Sequence, residues 1–157
     1  MASKTNAMRM LDKAKLEYII REYPEGPIAA VDVANYFGQP ADRLFKTLVT
    51  TDGNHGYYVF CLPGDHELDL KKAATIVGVK KIEMLKQKDL LKLTGYIHGG
   101  CSPIGMKKLF PTVVDTSALN WDTINVSGGK IGLQIEINPK ILETLIGAKF
   151  DSITKDI

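Results

Sequence analysis

Residues 126–137, VSGGKIGLQIEI, set the architecture of this 157-residue chain. From Ile131 to Ile137 apolar and polar residues alternate, with Ile131, Leu133, Ile135 and Ile137 on one side and Gln134 and Glu136 on the other. That period of two predicts a strand with one face in a core. Asp122–Ser127 before it is also β-like. The Gly128-Gly129 corner joins the two, because glycine tolerates positive φ and lets backbone come close to a neighbour or a ligand. Beyond the strand, Asn138 predicts an N-cap, Pro139 a first helical position and Gly147 a stop, and Ile141, Leu142, Leu145 and Ile146 form the apolar stripe between them.

Working back towards the start, residues 5–15 space Ala7, Met10 or Leu11, and Ala14 as a helix, and Leu16–Tyr23 reads as a strand halted by Pro24 and Gly26. Ala29–Phe37 predicts a short amphipathic helix ended by Gly38. A turn at residues 39–42 leads to a strand, Leu44–Val49, and residues 52–56, DGNHG, close a hairpin onto Tyr57–Leu62. Asp69 predicts an N-cap for a helix carrying Leu70, Ala73, Ala74 and Val77, closed by Gly78. A short strand, Lys81–Met84, a short helix, Lys86–Leu93, a β-branched strand, Thr112–Asp115, and a turn or short helix at Thr116–Leu119 complete the order. Hairpins with interspersed short helices predict one α/β or α+β domain over residues 1–157, built on a mixed, barrel-like sheet surrounded by short helices.

Composition supports a folded domain and narrows its partners. Apolar residues are 45% and charged residues 24%, as in ordinary globular proteins. No apolar run approaches the roughly 20 residues of a membrane helix, and the first residues carry no h-region of secretory length, so a cytoplasmic protein away from membranes is expected. Cys61 and Cys101 have neither metal nor disulfide-framework spacing, which fits a reducing compartment. The net charge of +2 argues against a generic nucleic-acid binder with contacts spread over its surface. Lys80-Lys81, Lys86, Lys88 and Lys107-Lys108 do cluster in the middle third, either as a local patch or as solvated surface lysines.

The densest set of unusual residues is Gly95–Lys108, GYIHGGCSPIGMKK. Its Gly99-Gly100 corner, like Gly128-Gly129, either turns the chain or offers backbone N–H groups to a developing negative charge. Lys46, among Leu44, Phe45, Leu48 and Val49, is either a cation at the rim of an apolar pocket or an outward lysine on a half-exposed strand, since it falls on the face opposite Phe45. Cys101 with His98 is the first guess for a nucleophile and base, but an irregular loop gives that pair no defined geometry, and no GxSxG elbow is present. Neither a Walker A run nor a dinucleotide fingerprint occurs. His55, His66 and His98 lack ligand spacing, so neither a metal nor a cofactor is expected. Tyr23 and Asp115 end strands, where they could line a site or serve packing and capping, while Trp121, Tyr58 and Phe60 read as core.

Taken together and in order, KTL at Lys46–Leu48, GYIHGGCSPIGMKK leading into FPTVVD, and VSGGKIGLQIEI closely resemble the YbaK family of Cys-tRNA(Pro) deacylases, relatives of the editing domain inserted in bacterial prolyl-tRNA synthetases. The resemblance covers nearly the whole chain. It implies a barrel-like mixed sheet and an aminoacyl-tRNA deacylase, a hydrolase or lyase acting on the ester between cysteine and the tRNA 3′ end. By the same resemblance Lys46 is the residue essential to activity, and Tyr23, Thr47, Gly99, Gly100, Ser127, Gly128 and Gly129 line the pocket. It also implies that the substrate's own thiol attacks its carbonyl, and that prolyl-tRNA synthetase is a partner alongside the aminoacyl-tRNA acceptor end. Gln134 departs from the acidic residue that several relatives carry there. The residues leave open a deacylase for another misacylated tRNA, such as Ala-tRNA(Pro), or a non-catalytic protein that keeps the pocket.

Overall fold

A computed structural model describes residues 4–24 and 30–155. The expected stop at Gly26 and the expected helix start at Ala29 lie outside the described residues. The first helix, α1 (Asn6–Lys13), begins where the Thr5 hydroxyl accepts a hydrogen bond from the Met8 N–H at 3.2 Å, satisfying one of the free donors of its first turn. It buries Ala7, Met8 and Leu11. The strand expected over Leu16–Tyr23 contracts to β1 (Ile19–Glu22), whose ladder runs from Ile19 opposite Glu136 to Glu22 opposite Leu133, while the Leu16 N–H is taken by the end of α1, donating to the Leu11 carbonyl at 3.0 Å. Helix α2 (Ala30–Tyr36) follows and buries Val33 and Ala34.

The expected hairpin forms from β2 (Phe45–Thr51) and β3 (Tyr57–Pro63). The Asp52 carboxylate holds its turn by accepting from the N–H groups of Asn54 at 2.8 Å and Gly56 at 2.9 Å. Asp69 caps α3 (Leu70–Val77) by accepting from Lys71 and Lys72, and Gly78 ends the helix in the left-handed region. The short β4 (Glu83–Met84) pairs with the far end of β2 and passes directly to α4 (Gln87–Thr94). Then come β5 (Thr112–Asp115), β6 (Ile124–Lys130), β7 (Leu133–Ile137) and α5 (Lys140–Ile146). Helix α5 begins one residue after the expected Pro139, yet Asn138 still caps it, its side-chain oxygen accepting from the Lys140 N–H at 3.0 Å.

A strand that the sequence did not announce, β8 (Lys149–Asp151), pairs parallel to β5 at the sheet edge. Three residues are too few to show a period, so only the pairing reveals it. The strands form a three-stranded sheet, β1-β7-β6, and a five-stranded mixed sheet, β4-β2-β3-β5-β8, which meet at a parallel bridge between Leu44 and Asn125. The fold is thus the expected mixed α+β class.

The main core lies under the apolar face of β6 and β7, where Val126, Ile124, Ile135 and Ile137 meet α1, α5 and Phe45. A second core places α3 against Phe60, Leu62 and Val113. A third gathers Val49, Val59, Leu90, Tyr96 and Phe110 beneath α4. The opposite face of β6 and β7 is polar, carrying Asn125, Ser127, Gln134 and Glu136, all buried. This face and the small apolar cluster of Tyr23, Val33, Ala34 and Leu44 frame the site described next.

Candidate active site

A cavity of about 410 Å³ opens between the first half of β2, the polar face of β6 and β7, the β4–α4 connection and the Gly99 loop. Tyr23, Lys46, Thr47, Gly99 and Ser127, five of the residues singled out in the sequence, line it together. They come from four separate parts of the chain, and the bridge between Leu44 and Asn125 is what brings β2 beside β6.

Lys46 lies on the strand face opposite Phe45, paired across the ladder with Leu62, and is half-buried rather than outward. Its ammonium donates to the Gly64 carbonyl oxygen at a long 3.4 Å. Burial lowers the Lys46 pKa, while the nearby carboxylates of Glu67 and Asp65 act in the opposite direction. The lysine is therefore a partly desolvated cation with donors to spare. Ser127, almost fully buried, accepts the Gly129 N–H at 3.2 Å. Tyr23 packs edge-on against Phe37, with ring centroids 6.0 Å apart.

Gln134 sits on β7 between Arg21 and Ser127 in the ladders and lines the same cavity. It is 6% exposed, and among the described residues its side-chain oxygen is buried with no hydrogen-bond partner. A buried orphan acceptor of this kind costs free energy unless something arrives to donate to it. Two residues on, Glu136 is already committed: it accepts from Arg21 Nη2 at 2.7 Å, from Arg43 at 3.2 Å and from the Thr123 hydroxyl at 2.7 Å. Burial alone would push its carboxyl up, but the bonds from Thr123 and Arg21 and the two guanidinium charges hold it below the usual carboxylate range.

Gly100, Gly128 and Gly129 do not line the cavity. A side chain at Gly100 would stand 2.8 Å from the backbone of Lys130 and Ile131, so this glycine is where the two glycine loops touch. One at Gly128 would strike Leu133 at 2.6 Å. Gly129, at φ +106°, is pressed against Thr5 and Tyr96. These three let elements close up behind the site, whereas Gly99 reaches its surface.

Cys101 also lines the cavity, but burial pushes its thiol up to about 12, with a partial offset from a hydrogen bond to Thr94. Cys61, fully buried beside Thr47, is likewise pushed up to about 12. Neither supplies a thiolate near neutral pH. Met84, Gln87 and Leu90 complete the wall, and sequence reasoning did not find them. No local signal marks them, because only the pairing of Thr50 with Met84 and the burial of α4 carry them to the site. Asp115 stands apart, its carboxylate accepting from Ser117 and Ile153 in a separate polar cavity. Trp121 packs partly on the main core with the Arg43 guanidinium 5.9 Å above its ring. Among the described residues no group of three or more His, Cys, Asp or Glu is placed to hold a metal ion, and no helix is long and apolar enough to cross a membrane.

The cavity thus offers a cation, the hydroxyl-bearing side chains of Tyr23, Thr47 and Ser127, the His98 imidazole and an amide oxygen unpartnered among the described residues, while neither cysteine supplies a thiolate. A family model described as aminoacyl-tRNA editing domain matches residues 27–145. A protein of Enterococcus faecalis provisionally named as the Cys-tRNA(Pro)/Cys-tRNA(Cys) deacylase EbsC is 48% identical over 153 residues, covering 96% of this chain and 93% of that one. A proline–tRNA ligase of Elusimicrobium minutum is 36% identical over 83 residues, 52% of this chain but only 14% of the ligase. A crystal structure provisionally described as a trans-editing enzyme for prolyl-tRNA synthetase superposes with a TM-score of 0.85 at 26% identity, covering 99% of this chain and all of that one.

Proposed function

Since the chain belongs to the aminoacyl-tRNA editing domain family, we propose that it deacylates mischarged Cys-tRNA(Pro), and Cys-tRNA(Cys) as well. The observation that carries this reading is Lys46: a partly desolvated cation on the wall of a cavity that also presents Thr47, Gly99, Ser127 and Tyr23. A desolvated ammonium stabilises an oxyanion far better than one in water, because the local dielectric is low and little reorganisation is needed.

The attacking group comes from the substrate. The cysteinyl thiol adds to its own ester carbonyl, the carbon–oxygen bond to the ribose breaks, and the thiol proton leaves with the ribose oxygen, giving free tRNA and a cyclic thiolactone. An intramolecular attack needs no second reactant to be brought in, so the protein's part is to hold the near-attack geometry of this strained four-membered closure and to stabilise the charge. Lys46 meets the carbonyl oxygen or the terminal nucleotide, Ser127 and Gly99 shape the aminoacyl pocket, and Tyr23 and Thr47 close its sides. The elevated thiol of Cys101 agrees with a mechanism that asks nothing of it. Acting on aminoacyl-tRNA, the protein would work in the cytoplasm, with prolyl-tRNA synthetase as the natural partner given the ligase resemblance.

The test is deacylation of Cys-tRNA(Pro), Cys-tRNA(Cys) and Ala-tRNA(Pro) side by side with wild type and Lys46→Ala. The cysteinyl substrates are expected to clear faster, through Lys46. Faster clearance of Ala-tRNA(Pro) sinks the specificity, since alanine has no thiol, and an undiminished rate in Lys46→Ala sinks the site.

A further inference from the structure

We propose that the exposed lysines of α4 and the loop behind it, Lys88, Lys92, Lys107 and Lys108, form the track over which the phosphates of the tRNA acceptor strand leave the cavity. The inference rests on the proposed deacylase function and says which face of the protein the RNA crosses. Residues 79–109 hold seven lysines against only Glu83 and Asp89, while the whole chain nets +2, so the rest of the protein is net negative. All seven lysines are exposed, and among the described residues none makes an ion pair. Lysines that fold stability does not engage are available to replace the counterions of a phosphate chain.

Position joins this charge to the site. The same segment supplies Met84, Leu85, Gln87 and Leu90 to the cavity wall, so α4 itself forms part of the rim. At its C-terminal end the Lys107 N–H donates to the Thr94 carbonyl at 2.9 Å, and the Lys107 side chain lies over Gly95, so the lysine pair stands beside the helix that carries Lys88 and Lys92. The rim on the Lys46 side is different, because Asp65 and Glu67 are close enough to act on the Lys46 charge. An acceptor end seated with its ester at Lys46 is thus repelled along one rim and attracted along the other. The surface is polar and charged, with Leu91 and Ile97 exposed between the lysines, which suits a flexible single strand better than a base-reading groove.

The experiment measures binding of uncharged tRNA(Pro) by fluorescence anisotropy between about 50 and 200 mM salt, the range in which phosphate contacts dominate. It compares wild type, the fourfold variant Lys88→Gln, Lys92→Gln, Lys107→Gln, Lys108→Gln, and a distant control, Lys140→Gln with Lys149→Gln. The fourfold variant is expected to bind about tenfold or more weakly at low salt, with a salt slope shallower by roughly 0.7 per lysine removed, and the control is expected to match wild type. Hydrolysis of a cysteinyl ester of adenosine, which lacks the upstream phosphates, should be retained while Cys-tRNA(Pro) hydrolysis falls. An unchanged slope, an equal loss in the control, or loss of prolyl-tRNA synthetase binding with tRNA binding intact overturns the assignment. A wild type that hydrolyses neither ester instead overturns the deacylase function, and the anisotropy series still decides the track.

Discussion

The Lys46 ammonium reaches the Gly64 carbonyl at 3.4 Å across the end of the β2–β3 hairpin, which leaves a half-buried cation only loosely held. A cation that stabilised the fold would be expected in a closer, charge-paired contact. Lys46→Ala is therefore expected to lower Cys-tRNA(Pro) deacylation by about 10² to 10³, the usual effect of removing one oxyanion donor, while leaving the melting temperature nearly unchanged. Single-turnover deacylation and thermal melting on one preparation check both halves.

Because burial lowers the pKa of Lys46, the group loses its proton below the ordinary lysine value. Deacylation is expected to decline on the alkaline side at lower pH than an exposed lysine would give, and the decline should be missing from the residual activity of Lys46→Ala. Stability moves the other way. Between the folded and unfolded pKa values the unfolded chain binds more protons, so wild type gains stability relative to Lys46→Met as pH rises through that window. Urea melts of the two proteins across the alkaline range read the difference.

Cys101 lines the cavity with its thiol pushed up to about 12, so it is expected to be a bystander. Cys101→Ala should keep deacylase activity within a factor of a few, and the folded wild type should resist iodoacetamide at pH 8 until denaturant is added. Mass spectrometry of the labelled protein gives the second result. Rapid labelling together with loss of activity would restore Cys101 as the nucleophile.

Gly100 has backbone atoms of Lys130 and Ile131 2.8 Å from where a Cβ would stand, and backbone has no far end to swing away. Gly100→Ala is expected to cost about 1–3 kcal/mol, the range for overpacking a closed contact, and to reduce activity by parting the two glycine loops. Gly38→Ala is the comparison: among the described residues its Cβ meets nothing within 4 Å, and the resistance there is its φ of +66°, so it should leave activity intact. Equal loss of activity in the two would remove the loop contact from the account.

Much of the fold was legible because local rules were obeyed. The alternation in residues 131–137, the cap at Asp69, the hairpin turn at Asp52 and the stop at Gly147 all form as their chemistry demands. The errors lie where a partner decides. Leu16–Tyr18 reads as strand but has no ladder to join, and Lys149–Asp151 reads as nothing until β5 offers it an edge.

The sequence by itself determined which residues were unusual, a lysine among apolar neighbours and two glycine corners, and the family resemblance added Gln134 where several relatives carry an acid. Only the tertiary structure decided what each one meets. Glycine permits close approach without naming what approaches, and the atoms that press on Gly100 come from thirty residues further along the chain. The same holds for Gln134, which lines the cavity beside β2 and whose amide oxygen is buried with no partner among the described residues.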